Sequence, residues 1–226
     1  MTVPSTAHVR TIDAERQFAG ERRSAGGENR HHRHLWPVVA ALLPDRPSNV
    51  LDVACGNGFL ASRMAQSGHH VTAFDLSAEN VAAARKSYAQ VRFEVASAYD
   101  DLSDLRPPAG WDAVVAVEII AHLFSPQRFL ANMRGNLAES GRIIVTAPYH
   151  GYVKNVALSV LGQLDNHFEV YFEGGHIKFF SRRSLDAMFA AAGFRRPSFR
   201  YAGRVPLLWK SMVSWVDDSG ETPPPR

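Results

Sequence analysis

Cysteine is nearly absent. The 226 residues hold one, Cys55, so no disulfide framework exists within the chain and a reducing, cytoplasmic setting is expected. Long apolar runs are missing too. No stretch approaches the roughly 18 consecutive apolar residues of a membrane-spanning helix, and residues 1–10 lack the apolar segment of an export signal. Charge of one sign is equally scarce: a formal net charge of +3, with acids and bases interspersed, leaves no nucleic-acid footprint. One local exception, Arg30-His31-His32-Arg33-His34, reads either as a cluster facing an anion or as a solvated helix face. What remains is a chain of one-domain length with material for an ample core.

Residues 49–61, N-V-L-D-V-A-C-G-N-G-F-L-A, organise the rest. They read as a buried strand (Val50, Leu51, Val53) that ends in a glycine turn and opens into a helix at Phe59. Gly56 and Gly58 permit positive φ and let a ligand lie against bare main chain, while the helix aims free N–H groups at it. Cys55, inside this turn, reads as a small space-filler rather than a nucleophile. Gly56-x-Gly58-x-x-Ala61 also fits the dinucleotide fingerprint, a weak signal by itself. Asp52 argues against a dinucleotide. A carboxylate at the mouth of the strand repels a pyrophosphate and suits a ligand that carries positive charge.

Downstream, strand and helix patterns alternate. Strands are expected at 70–75, 91–95, 111–117 and 141–147, with helices at 34–43, 59–67, 77–88 and 125–138. The fold class is therefore α/β, a Rossmann-like, doubly wound and mostly parallel sheet, with ligands at the carboxyl ends of its strands. Asp75 ends the second strand about twenty residues beyond the cradle, where an acid can accept both hydroxyls of a ribose; a helix-capping aspartate would occupy the same place. Residues 148–180 are a long insertion after the fifth strand, suited to a substrate pocket. A last helix follows at 181–192, then a strand at 194–201 and a short helix covering the pocket at 205–215, with no seventh strand evident. The domain spans 29–216, preceded by a flexible arm or lid at 1–28 and followed by a disordered tail at 217–226.

The pattern L-D-V-A-C-G-N-G resembles motif I of the class I S-adenosylmethionine (SAM) methyltransferases, which usually have glycine where this chain has Ala54. That resemblance implies SAM as cofactor, held by Asp52, Ala54, Gly56, Gly58, Asp75, Leu76, Ser97, Ala98 and Val117. Ser97 stands where the family commonly places an acid near the adenine amine, and Tyr99 is a stacking candidate. After the fourth strand, V-E-I-I-A-H resembles the ubiquinone-biosynthesis O-methyltransferases, whose E-x-x-E-H pattern is associated with a divalent metal. This chain keeps Glu118 and His122 but has Ala121 in place of the second acid. The resemblance thus implies, at most, Mg²⁺ on Glu118 and His122 with substrate oxygens completing the shell. Gly175-His176 with Phe179 also matches that family's segment before the last large helix.

A second resemblance, to prenyl-diphosphate C-methyltransferases, rests on Glu169 and Trp209. It implies a glutamate base and a tryptophan face for a carbocation. The leading expectation is accordingly C-methylation of a prenyl diphosphate such as geranyl diphosphate. The alternative is O-methylation of a phenolic or quinone-type acceptor, with His122, His150 or His176 taking the proton. An NAD(P) oxidoreductase and a non-catalytic SAM-binding protein are the readings from other classes. Partners are expected to be a small molecule, not nucleic acid. Peripheral membrane contact through the apolar helix 153–161, and a homo-oligomer, are left open.

Overall fold

The computed structural model describes residues 30–168, 175–204, 206 and 208–218. Its centre is β1 (Asn49–Val53), where Val50, Leu51 and Val53 are fully buried. Parallel neighbours on both sides explain that burial. Val50 stands opposite Val71 of β2 (His70–Asp75) and opposite Ala113 of β4 (Trp111–Ala116). With β3 (Arg92–Val95), β5 (Leu137–Pro148), β6 (Ser198–Ala202) and β7 (Ser211–Asp217), the sheet runs β3-β2-β1-β4-β5-β7-β6. β7 is antiparallel to both of its neighbours, and the other pairings are parallel.

The helices are α1 (Arg30–Ala40), α2 (Phe59–Gln66), α3 (Ala78–Ser87), α4 (Pro126–Asn136), α5 (Tyr152–Val160), α6 (Leu164–Phe168) and α7 (Arg182–Ala191). Strand alternation sends side chains to two separate cores. Leu51, Val53, Val114 and Ile143 pack with Phe129 of α4 and Leu185 and Phe189 of α7. Val50, Ala113, Val115 and Ile144 pack with Leu35 of α1, Met64 of α2 and Val81 of α3. A central strand buried on both faces needs this three-layer arrangement.

The helix expected at 205–215 is overturned: residues from Ser211 onward form β7. Met212, Val213 and Val216 sit at helix-like spacing. Pairing with β5 and β6 instead buries both faces of the segment, Met212 and Val216 in one core and Val213 in the other. Asp217, assigned to the tail, is the last residue of that strand. The fold is the expected doubly wound α/β sheet, with this extra strand inserted between β5 and β6. The arm at 1–28 and the tail beyond residue 218 lie outside the described residues.

Within the insertion, α5 buries none of its residues, and Tyr152, Val153, Val156 and Val160 are exposed. No described helix is long and apolar enough to cross a membrane. After α6 the chain returns over the turn that follows β4. The N–H groups of Ile177 and Lys178 both donate to the Ala121 carbonyl, at 2.9 and 3.1 Å.

Candidate active site

The carboxyl ends of β1, β2 and β4 meet where the strand order reverses, the place at which a sheet of this kind binds its ligand. The turn leaving β1 is built from left-handed residues. Ala54, Gly56 and Gly58 have φ of 55°, 55° and 76°. Ala54 takes this conformation despite its Cβ, at a cost of about 1 kcal/mol, which explains why glycine is the usual residue there. At Gly58 a side chain would also collide: an added Cβ lies 2.7 Å from the Phe93 ring and 2.9 Å from Ala84 Cβ. Gly58→Ala is therefore expected to destabilise the fold by about 2–4 kcal/mol from strain and overpacking together. Urea unfolding measures it, and a loss below 1 kcal/mol would show that the turn can relax. Cys55 is buried, and burial, then Asp52 and Asp75, push its thiol well above the usual range, consistent with a space-filling role.

Two acids face this turn. Asp52 is 2% exposed, and its Oδ2 has no hydrogen-bond partner among the described residues. Burial, and next the neighbouring Asp75, raise it to about 8, against a hydrogen bond from the Ala61 N–H. A buried acid in this state is incomplete without a positive charge beside it. Asp75 has other work besides ribose binding. Its Oδ2 accepts the Gly56 N–H at 2.9 Å, and its Oδ1 accepts the Ser77 N–H at 2.9 Å and the Asn80 amide at 3.2 Å. A carboxylate has about four acceptor positions, so these leave one for a ribose hydroxyl and a second if the longer Asn80 contact yields. Ser77 also caps α3, through the Asn80 N–H.

On the β3 side, Leu76 is half-buried while Ser97 and Ala98 are buried. Ser97 Oγ accepts the Tyr99 N–H at 3.3 Å, and its own N–H goes to Asp100 at 2.8 Å. Tyr99 is not a stacking platform at the site. It is a core residue whose hydroxyl accepts the Ser125 N–H at 3.0 Å. Asp100 is a polar group the sequence reading passed over. Its signal was the short side chain three residues beyond Ser97, an Asx-type turn.

On the β4 side, Val117 is half-buried and Glu118 has φ 57°. The Glu118 N–H donates to Thr146 Oγ1 at 2.8 Å, and that hydroxyl donates back to Glu118 Oε1 at 2.9 Å. Burial raises this carboxyl to about 7, opposed by the hydroxyls of Thr146 and Ser211. Ser211 Oγ in turn lies 3.3 Å from His34 Nε2. His32, from the same basic stretch, stacks on Phe59 with centroids 5.1 Å apart and planes 3° apart. The run Arg30–His34 is thus not simply a solvated face, because two of its histidines are seated on the site's borders.

His122 Nδ1 lies 3.1 Å from the Gly175 carbonyl. A carbonyl only accepts, so Nδ1 carries the proton and Nε2 is the basic nitrogen. The His176 ring stands 4.8 Å from it. His150 sits between Phe168 and Phe179, at 5.7 and 5.1 Å. Trp209 stacks on Tyr201 at 4.4 Å and meets the edge of Tyr149 at 5.4 Å; it does not lie on the pocket-covering helix expected for it. Glu169 lies outside the described residues. Among the described residues no three histidine, cysteine or acidic side chains gather; Glu118 Oε1 accepts from Thr146, and His122 Nδ1 is taken by the Gly175 carbonyl, which leaves Nε2.

A cradle of bare main chain beside an uncompensated buried acid fits a cofactor with a cationic end. The comparisons agree. Residues 27–196 match a family described as a methyltransferase domain. The ubiquinone biosynthesis O-methyltransferase of Xanthomonas campestris pv. campestris (strain B100) is 31% identical over 150 residues, 63% of this chain and 62% of that protein. The namesake from Xylella fastidiosa (strain 9a5c) is 32% identical over 112 residues, 48% of this chain and 45% of that one. The chain thus covers less than two thirds of the length of these relatives. In fold it is similar to the magnesium protoporphyrin IX methyltransferase of Synechocystis PCC 6803 with bound SAH (S-adenosylhomocysteine). That match has a TM-score of 0.61 and 17% identity, over 91% of this chain and 93% of the other. The chain belongs to the methyltransferase domain family and carries a class I, SAM-dependent methyltransferase domain.

Proposed function

We propose that this domain methylates a hydroxyl of a small phenolic or quinol-type acceptor. The observation that carries the proposal is the His122 ring, whose proton is fixed on Nδ1 by the Gly175 carbonyl so that Nε2 is the base. SAM, when bound, supplies a methyl group on a sulfonium. Asp52 would meet its ammonium, the Gly56–Gly58 main chain and the start of α2 would lie along it, and Asp75 would hold the turn and reach the ribose. His122 Nε2 takes the acceptor's hydroxyl proton as the oxygen–carbon bond forms. The insertion supports this reading: the His176 ring stands beside His122, and His150 lies in an aromatic cluster with Phe168 and Phe179. The names of the curated relatives point the same way.

C-methylation of a prenyl diphosphate is less well supported. Its cation-stabilising face, Trp209, is stacked on Tyr201, and the curated relatives are named as O-methyltransferases. The test is transfer of labelled methyl from SAM to a catechol and, in parallel, to geranyl diphosphate, each with and without EDTA. Label is expected in the methyl ether and unaffected by chelation; label in the prenyl product alone would reverse the choice. His122→Gln should lower kcat about 100-fold, the scale of one general base, with SAM affinity held within about twofold. An unchanged kcat would remove His122 as the base.

A further inference from the structure

A helix at the surface of a folded domain ordinarily turns its apolar stripe inward. The helix α5 does the reverse. At about 100° per residue, Tyr152, Val153, Val156 and Val160 fall on one stripe, and all four are exposed, Tyr152 at 84% and Val160 at 80%. Lys154, Asn155 and Leu158, on the opposite side, are half-buried. The Lys154 ammonium donates to the Tyr149 carbonyl at 3.1 Å, so the helix is tied to the domain from the side that carries its charge.

Two more apolar side chains extend this face. Phe179, 51% exposed, packs against His150 with ring centroids 5.1 Å apart. Leu208 is also exposed and precedes Trp209, which meets the edge of Tyr149, while the Lys210 carbonyl accepts the Tyr149 N–H at 2.8 Å. Tyr149 and His150 lead directly into α5, so three segments of the chain converge at its start. Charge then selects the partner. Residues 148–164, 175–183 and 203–210 carry the cations Lys154, Lys178, Arg182, Arg183, Arg204 and Lys210 and no Asp or Glu. Asp165 of α6 follows the first segment, and Glu169 and Glu173 lie outside the described residues. A second copy of this chain would set cations against cations, whereas anionic headgroups over an apolar layer complement both features of the face.

We propose that α5, with Phe179 and Leu208, is an interfacial anchor that docks the domain on an anionic lipid surface. The apolar stripe enters the boundary between headgroups and acyl chains, and the long basic side chains reach the phosphates. A helix of nine residues buries too little surface to hold the domain by itself. Phe179 and Leu208 add apolar area, and each cation near the surface adds attraction. The anchor also adjoins the site: the N–H groups of Ile177 and Lys178 hold the Ala121 carbonyl, one residue before His122, so docking brings that side of the domain to the lipid. The proposal depends neither on the SAM assignment nor on the identity of the acceptor.

The test is sedimentation of the whole chain with vesicles of phosphatidylcholine alone and of phosphatidylcholine mixed with phosphatidylglycerol. Wild type should pellet with the mixed vesicles at about 0.1 M salt, bind the neutral ones about tenfold more weakly, and lose most of that difference at about 1 M. Val156→Asp combined with Val160→Asp should lower partitioning onto the mixed vesicles about 100-fold, the scale of two buried valines. Arg183→Gln, Arg204→Gln and Lys210→Gln together should lower it about tenfold or more. Because these side chains are exposed, the urea midpoint of each variant should stay at the wild-type value. Val156→Trp keeps the face apolar, and its emission should move to the blue, beyond any change in wild type, only with the mixed vesicles. Wild type left in the supernatant by both vesicles, aspartate variants that pellet as wild type does, or an unmoved tryptophan emission would each overturn the proposal. Wild type that ignores vesicles but sediments as a dimer, dissociated by Val156→Asp, would assign the face to a second copy instead.

Discussion

Asp75→Ala is expected to cost about 1,000-fold in affinity for SAM and about 1–3 kcal/mol in stability. Removing the carboxylate takes the acceptor from the Gly56 N–H, the Ser77 N–H and the Asn80 amide at once. A hydrogen bond to a charged group contributes about 1.5–3 kcal/mol, and an orphaned buried N–H costs a similar amount. Part of the loss is offset, because Asp75 is one reason the Asp52 carboxyl takes up a proton on folding, and its removal lessens that cost above about pH 4. Affinity has no such offset: the turn that carries the cofactor loses the bond that pins Gly56, and the ribose loses its acceptor. Asp75→Asn, with one oxygen in place of two, should fall between. Calorimetric titration with SAM and urea unfolding read the two effects. Affinity within tenfold of wild type would show that the cradle stands without Asp75.

The double function of Asp75 also shows what the sequence made legible. Glycines, an acid twenty residues on and a repeating strand–helix pattern were enough for the sheet, the cradle and the cofactor class, because each follows from local backbone needs and from period. Asp75 was read as a ribose acceptor or a cap, and its bond to Gly56 was invisible, since it joins two strand ends nineteen residues apart. The same limit hid β7. Residues 211–217 carry apolar side chains at spacings that suit a helix as well as a strand, and pairing between β5 and β6 decides the matter. With β7 misread, Ser211 could not be placed, and its contact with His34 went unseen. Thr146 was overlooked as one hydroxyl in the apolar run I-I-V-T-A. Polar networks built from distant elements leave no periodic trace, so they are where reading by pattern stops.

Asp52→Asn is expected to act in opposite directions on stability and on binding. In the folded protein without cofactor, burial and Asp75 raise the Asp52 carboxyl from 3.8 to about 8. Because its folded pKa lies above its unfolded value, the folded state holds the extra proton. This group's contribution is full below about pH 4 and is lost progressively as pH rises toward about 8. At about 1.4 kcal/mol per pKa unit, the loss is on the order of 5–6 kcal/mol at most. Asparagine keeps an acceptor for the Ala61 N–H and carries no charge, so the variant without cofactor should unfold at higher urea concentration at pH 8.5 and show a flatter pH dependence between 4 and 8. Binding should move the other way. A cationic cofactor is what lets the buried Asp52 carboxyl give up its proton and ionise, and removing one partner of a buried pair costs about 3–5 kcal/mol, so SAM affinity should fall at least 100-fold. SAH, with the same ammonium, should weaken in step. An Asp52→Asn protein no more stable than wild type at pH 8.5, or one that binds SAM normally, would mean that the buried charge is compensated within the chain. A domain that destabilises itself at its working pH to hold an unpaired acid does so because the ligand completes the pair.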